Sequence, residues 1–132
     1  MKNRSYLFLV IFASIIILAD RLTKIFAQNI EINKGAAFGI FPNRVLLLII
    51  IAFLIIILIF YFYKKVNTIM QIALILILAG TISNTIDRIF LGYVIDFIKI
   101  SFIPNSSAFN LADLSNIAGA IILLFTLIKK KK

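Results

Sequence analysis

The residues best suited to chemistry in this sequence are a few aspartates in apolar surroundings. Asp96 sits in Gly92-Tyr93-Val94-Ile95-Asp96-Phe97-Ile98, and its nearest basic residue in sequence is Lys99. Flanking Val, Ile and Phe give a carboxylate no solvation reason to be there. Asp113 sits in Phe109-Asn110-Leu111-Ala112-Asp113-Leu114, where a long apolar run begins. The ordinary explanation for Asp113 is a carboxylate favoured by the dipole of a helix N-terminus. The chemical alternative is a carboxylate pair. Two carboxyl groups brought close in a poorly solvated place cannot both ionise easily, so the pair shares a proton. Such a pair activates water by general base and general acid action. The chain contains no histidine and no cysteine. That removes Ser–His and Cys–His nucleophile pairs, thiolate chemistry, disulfides and most zinc or non-haem iron sites. Neither metal nor cofactor is expected. Lys99 with Ser101 or Ser106 could be drawn as a serine–lysine pair, but that spacing is unspecific and the serines read better as turn formers.

The acids must be positioned by membrane helices. Of 132 residues, 63% are hydrophobic and the mean hydropathy is +1.13, more apolar surface than a soluble domain of this size can hide. Val45–Tyr63 has no polar or charged side chain apart from tyrosine hydroxyls. As a helix it measures about 28 Å, close to the roughly 30 Å of bilayer hydrocarbon. Four spans are predicted, at about 5–24 (apolar from Ser5 to Asp20, with a helical continuation toward Ala27), 45–63, 68–86 and 111–128. Lys2 and Arg4 before the first run resemble the start of a signal peptide, but no small-x-small cleavage site follows it. The whole chain, 1–132, reads as one membrane-embedded domain.

The net charge of +9 is read as topology rather than as nucleic-acid binding. With the N-terminus inside, Lys2, Arg4, Lys64, Lys65 and Lys129–Lys132 face the cytoplasm without an acid among them. Both termini are then cytoplasmic, and the tetralysine tail lies on anionic headgroups. All five acids (Asp20, Glu31, Asp87, Asp96 and Asp113) then fall on the external side. Asp20 has Lys24 four residues on and Asp87 has Arg88 beside it, so ion pairing explains either one as well as a functional role does. Asn84, Asp87 and Arg88 stand at i, i+3 and i+4 and share a helix face; Asn110 and Asp113 are one turn apart.

Four blocks of the sequence together resemble the lipoprotein signal peptidases, the signal peptidase II family of aspartic peptidases in bacterial membranes. Asp20-Arg21-Leu22-Thr23-Lys24 is similar to that family's D-x-x-T-K. Asn33-Lys34-Gly35-Ala36-Ala37-Phe38-Gly39 resembles N-x-G-A-A-F-G. Asn84-Thr85-Ile86-Asp87-Arg88, continued by Gly92-Tyr93-Val94-Ile95-Asp96-Phe97, resembles N-x-x-D-R-x-x-x-G-x-V-x-D-F. Phe109-Asn110-Leu111-Ala112-Asp113 resembles F-N-x-A-D. The order and spacing are compatible from the first span to the last. One departure is Ser83, which stands where the family commonly has a glycine before Asn84.

The resemblance implies an all-α integral membrane protein of four transmembrane helices with a small extracytoplasmic loop and β platform, formed around Glu31–Phe41. It implies that Asp96 and Asp113 are the catalytic pair. Asn84, Arg88 and Asn110 would be the polar shell, Asn33 a substrate-contacting residue, and Asp20, Lys24 and Asp87 supporting residues. The implied activity is that of an endopeptidase in the bacterial inner or plasma membrane. It would remove the signal peptide of diacylglyceryl-modified prolipoproteins just before the lipidated cysteine, at the external face, as a monomer among membrane lipids. A small four-span exporter is the alternative. Coupling there needs a carboxylate near the midplane, whereas these acids cluster at one end.

Overall fold

The structure is a computed structural model and describes residues 2–36, 41–100 and 106–130. Four helices run in chain order: α1 (Lys2–Phe26), α2 (Val45–Phe62), α3 (Thr68–Leu91) and α4 (Leu111–Lys130). Each is long and apolar enough to cross a membrane. The predicted segments are all helical, but α3 runs five residues past the expected end at Ile86. The reason is packing: Asn84, Thr85 and Asp87 are buried, so the polar block continues the helix instead of ending it. Gly92 then stops α3 with a left-handed φ of 79°, a conformation in which a side chain would be strained.

Helix α3 is the centre of the bundle and packs against α1, α2 and α4. Half of its most apolar stretch is buried, against 17% in each of the other helices. Helix α2 is apolar all round and presents most of its side chains outward, as a lipid-facing helix does. Away from the acids, Leu9, Ala13, Ile59, Tyr63, Leu74, Ile75, Leu78 and Ala79 form the apolar core. There the α2–α3 hairpin is closed by Gln71, whose side-chain amide donates to Tyr63 O at 3.0 Å, and by Asn67, which caps α3 through Met70 N.

Among the described residues the α3–α4 contact is the most extensive, and its close approach depends on two glycines. A Cβ on Gly80 would overlap Ala112 O and lie 2.6 Å from Asn116 Oδ1; one on Gly119 would lie 2.6 Å from Ala73 O. Backbone-to-backbone approach of this kind is how membrane helices gain dispersion energy without a hydrophobic driving force. Gly80→Ala is therefore expected to push the start of α4 off α3 and lower stability by about 1–3 kcal/mol. Thermal unfolding in detergent measures this, and a melting temperature equal to that of the unaltered protein would contradict the packing argument.

At the other end of the bundle two three-residue strands pair antiparallel: β1 (Glu31–Asn33) and β2 (Val94–Asp96), with Glu31 opposite Asp96 and Asn33 opposite Val94. Beyond β2, Ile98 and Phe109 exchange backbone hydrogen bonds of 2.8 and 2.9 Å. This closure returns the chain to β2 just before α4 begins, and so delivers Asn110 beside Asp96. Of the platform expected over Glu31–Phe41, residues 37–40 lie outside the described residues.

Candidate active site

Asn110 joins the two aspartates. Its side-chain NH2 donates to Asp96 Oδ1 at 2.7 Å, to Asn84 Oδ1 at 3.0 Å and to Ile95 O at 3.2 Å. Its Oδ1 accepts from Asp113 N at 2.8 Å, and its own backbone N–H donates to Asp113 Oδ2 at 3.2 Å. The last two bonds form a reciprocal capping box at the start of α4, with Asn110 as N-cap and Asp113 at the third helical position. The helix-terminus explanation of Asp113 is thus correct locally, and it also places the carboxylate beside a residue bound to Asp96. The two carboxyl groups lie within electrostatic reach of each other.

Three further expected residues converge here. Asn84 Nδ2 donates to Asp113 Oδ1 at 2.8 Å. Asn33 Nδ2 donates to Asp96 Oδ2 at 3.0 Å, while its Oδ1 accepts from Gly35 N at 2.8 Å. Arg88 does not pair with its sequence neighbour Asp87. Its guanidinium donates to Gly35 O at 2.9 Å, tying the loop after β1 to α3, and it lies within electrostatic reach of Asp113 and Asp96. Asp96 and Asn110 are 1% and 0% exposed.

Asp20, Lys24 and Asp87 form a second, adjoining cluster. Lys24 is buried with its three donors engaged: Asp20 Oδ2 at 2.7 Å, Asp87 Oδ2 at 2.8 Å and Asn84 Oδ1 at 3.1 Å. The ion pair expected between Asp20 and Lys24 is present. The one expected between Asp87 and Arg88 is replaced by Arg21, which reaches Asp87 Oδ1 at 2.6 Å from α1. Helix α3 winds Asp87 toward α1, and Arg88 a further step round toward the loop. The cluster also holds backbone. Asp20 Oδ1 accepts from Ala112 N in the first turn of α4 at 2.9 Å, and Asp87 Oδ2 accepts from Ile95 N in β2 at 3.3 Å. It therefore grips the segments that carry Asp113 and Asp96. Lys24 also sets the orientation of Asn84: a cation demands the amide oxygen, leaving the NH2 for Asp113.

Two members of this cluster escaped the sequence reading as site residues. Arg21 follows Asp20 directly, and its helical distance to Lys24 was the available signal. Ser83, the departure from the common glycine, is the other: its hydroxyl donates to Asp20 Oδ2 at 2.6 Å. The serine–lysine alternative is not supported by geometry. Lys99 pairs with Glu31 at 2.6 Å and the Ser106 hydroxyl donates to Ile100 O; Ser101 lies outside the described residues.

Burial pushes the Asp96 carboxyl up to about 6 from an ordinary 3.8, helped by the charge of Asp113 and opposed by the bonds from Asn33 and Asn110. A folded-state pKa above the unfolded one means that the folded protein binds the proton more tightly, so Asp96 favours folding below about pH 4 and disfavours it above about pH 6. Relative to Asp96→Asn, the unaltered protein should gain up to about 3 kcal/mol between pH 7.5 and 4. Parallel melting curves over that range check this, and a pH-independent difference would rule it out.

A cavity of about 260 Å³ opens beside Asp96, walled in part by Asn33, Gly35, Asn43 and Ala108. A carboxyl group at the wall of a cleft, with a second within electrostatic reach and both fixed by amide donors, can move protons to and from a water and a carbonyl group.

Comparison with known proteins gives consistent matches. A family model described as Signal peptidase (SPase) II matches residues 10–129. A lipoprotein signal peptidase of Caldanaerobacter subterraneus subsp. tengcongensis is 43% identical over 100 residues, 74% of this chain and 68% of that one. The protein of the same name in Clostridium novyi is 35% identical over 139 residues, 88% of this chain and 94% of that one. Among solved structures, a bacterial membrane enzyme determined by the in meso method at 2.3 Å resolution superposes with a TM-score of 0.86 at 29% identity, over 94% of this chain and 89% of that one.

Proposed function

Because the chain belongs to the signal peptidase II family, we propose that this multi-pass membrane peptidase cleaves signal peptides from diacylglyceryl-modified prolipoproteins, just before the lipidated cysteine, with water activated between Asp96 and Asp113. The observation that carries the chemistry is Asn110, bonded at once to both aspartates from the N-cap of α4. The pair holds one proton. The ionised carboxylate takes a proton from water as the water oxygen bonds to the scissile carbonyl carbon. The protonated carboxyl donates to the carbonyl oxygen, giving a tetrahedral diol. As the diol collapses, the C–N bond breaks and the leaving amine takes up a proton. The new carboxyl group ends the signal peptide, and the lipid-bearing cysteine keeps the free amine.

The membrane gives this reaction its geometry. The signal peptide is an apolar helix and the diacylglyceryl group an apolar anchor, so both stay in hydrocarbon. The bond between them reaches the polar end of the bundle, where β2 carries Asp96 and Arg88 ties Gly35 to α3. That end faces the outside of the bacterial plasma membrane when both termini and Lys64 and Lys65 face the cytoplasm. The protein works as a monomer in contact with lipid.

The test is incubation of the purified protein with a lipidated prolipoprotein and with the same precursor lacking lipid. Cleavage of the first alone supports the reading. Equal cleavage of both refutes the substrate assignment, and no cleavage of either, with proton-coupled transport in liposomes, replaces it with an exporter.

A further inference from the structure

The cluster of Asp20, Arg21, Lys24 and Asp87 has two carboxylates and two cations and is neutral as a unit. Lys24 supplies one cation and has no donor left, since Asp20, Asp87 and Asn84 take all three. Arg21 supplies the other. Its guanidinium reaches Asp87 Oδ1 at 2.6 Å, and Asp20 Oδ2 and Ser83 O each at 3.4 Å. Arg21 occupies a position that the D-x-x-T-K pattern leaves open, and its side chain is 27% exposed whereas those of Asp20 and Asp87 are fully buried. The charged groups gathered at this end are Asp20, Arg21 and Lys24 on α1, Glu31 in β1 opposite Asp96 and paired with Lys99, Lys34 on the wall of the cavity beside Asp96, Asp87 and Arg88 on α3, Asp96 in β2 and Asp113 at the start of α4. Lys24 acts electrostatically on both Asp96 and Asp113. Lys24 thus couples the cluster to the pair.

We infer that Arg21 is a positioning residue of the peptidase: it neutralises the cluster that holds the backbone under Asp96 and Asp113, and so sets the pH range in which that pair is active. The inference rests on the aspartate-pair reading above. With Arg21 in place, Asp87 keeps Oδ2 for Lys24 and Ile95 N, and the cluster adds no charge beside the pair. Without it, two buried carboxylates face one ammonium, and the surplus negative charge makes ionisation of Asp96 harder.

The experiment measures kcat and KM against pH for Arg21→Gln, Arg21→Lys and Asp87→Asn on a lipidated prolipoprotein. Arg21→Gln leaves the cluster at −1 and should move the acidic limb of the profile up by about half a pH unit, as a unit charge in partly screened surroundings does. KM should stay within about twofold, because Arg21 is placed to act on the pair rather than on the substrate. Arg21→Lys keeps the charge and should keep the limb in place. Asp87→Asn leaves the cluster at +1 and should move the limb down. A merely structural role for Arg21 would lower activity without displacing the limb. An unmoved limb in Arg21→Gln, an equal displacement in Arg21→Lys, or shifts of one sign in Arg21→Gln and Asp87→Asn overturns the inference. If Arg21→Gln does not fold, Asp87→Asn decides alone, and a limb that stays or rises overturns it. Wild-type turnover is read first: its absence refutes the peptidase reading, whereas an unmoved limb in an active enzyme refutes only the role of Arg21.

Discussion

Asp113→Asn and Asp96→Asn should each abolish prolipoprotein cleavage, with kcat falling by at least about a thousandfold, the upper range for a lost general acid or base. Asparagine matches aspartate in size and can neither take a proton from water nor give one to a carbonyl oxygen. The two variants should differ in stability. In Asp113→Asn one face of the new amide must present NH2 to a donor, because Asp113 Oδ1 accepts from Asn84 Nδ2 and Oδ2 from Asn110 N. That unsatisfied contact costs about 1–3 kcal/mol. Asp96→Asn meets the same conflict between the Asn33 and Asn110 amides, but it also removes a buried charge. Activity, melting temperature and substrate binding must be measured on the same preparations. A folded variant that binds substrate and keeps near-normal turnover would remove its residue from the proposed mechanism.

The second large effect is on folding. Lys24→Met keeps the length of the side chain and deletes a buried cation shared by Asp20 and Asp87. Removing one partner from a buried ion network strands the opposite charges, at about 3–5 kcal/mol. Arg21 alone cannot replace Lys24, since it approaches from the more exposed side and leaves Asp20 Oδ2 with only a 3.4 Å contact to a cation. A marked loss of folded yield and of melting temperature in detergent is expected. Asn84 also loses the charge that turns its oxygen away from Asp113, so the folded fraction should be slower by tenfold or more. Unchanged melting and turnover in Lys24→Met would show that the network contributes little.

Composition and periodicity alone determined the four spans, because an uninterrupted apolar helix of about twenty residues has few stable places outside a bilayer. They also placed every acid at one end, and the absence of His and Cys left carboxylates as the available hydrolytic groups. Spacing showed that Asn84, Asp87 and Arg88 share one side of a helix, since i, i+3 and i+4 are neighbours in any α-helix. It could not show which neighbour each would meet. The pairing of Asp87 with Arg21 and Lys24, the turn of Arg88 to Gly35 O, and the bond from Ala112 N to Asp20 Oδ1 join residues 53 to 92 positions apart. Such contacts follow from how α1, α3 and α4 are rotated against one another. Between α3 and α4 that rotation is constrained by the close approach at Gly80 and Gly119, not by any local pattern. Asp96 and Asp113 could be proposed as a pair from the sequence. Their common attachment to Asn110 was decided only when the Ile98–Phe109 bridge brought the start of α4 back beside β2.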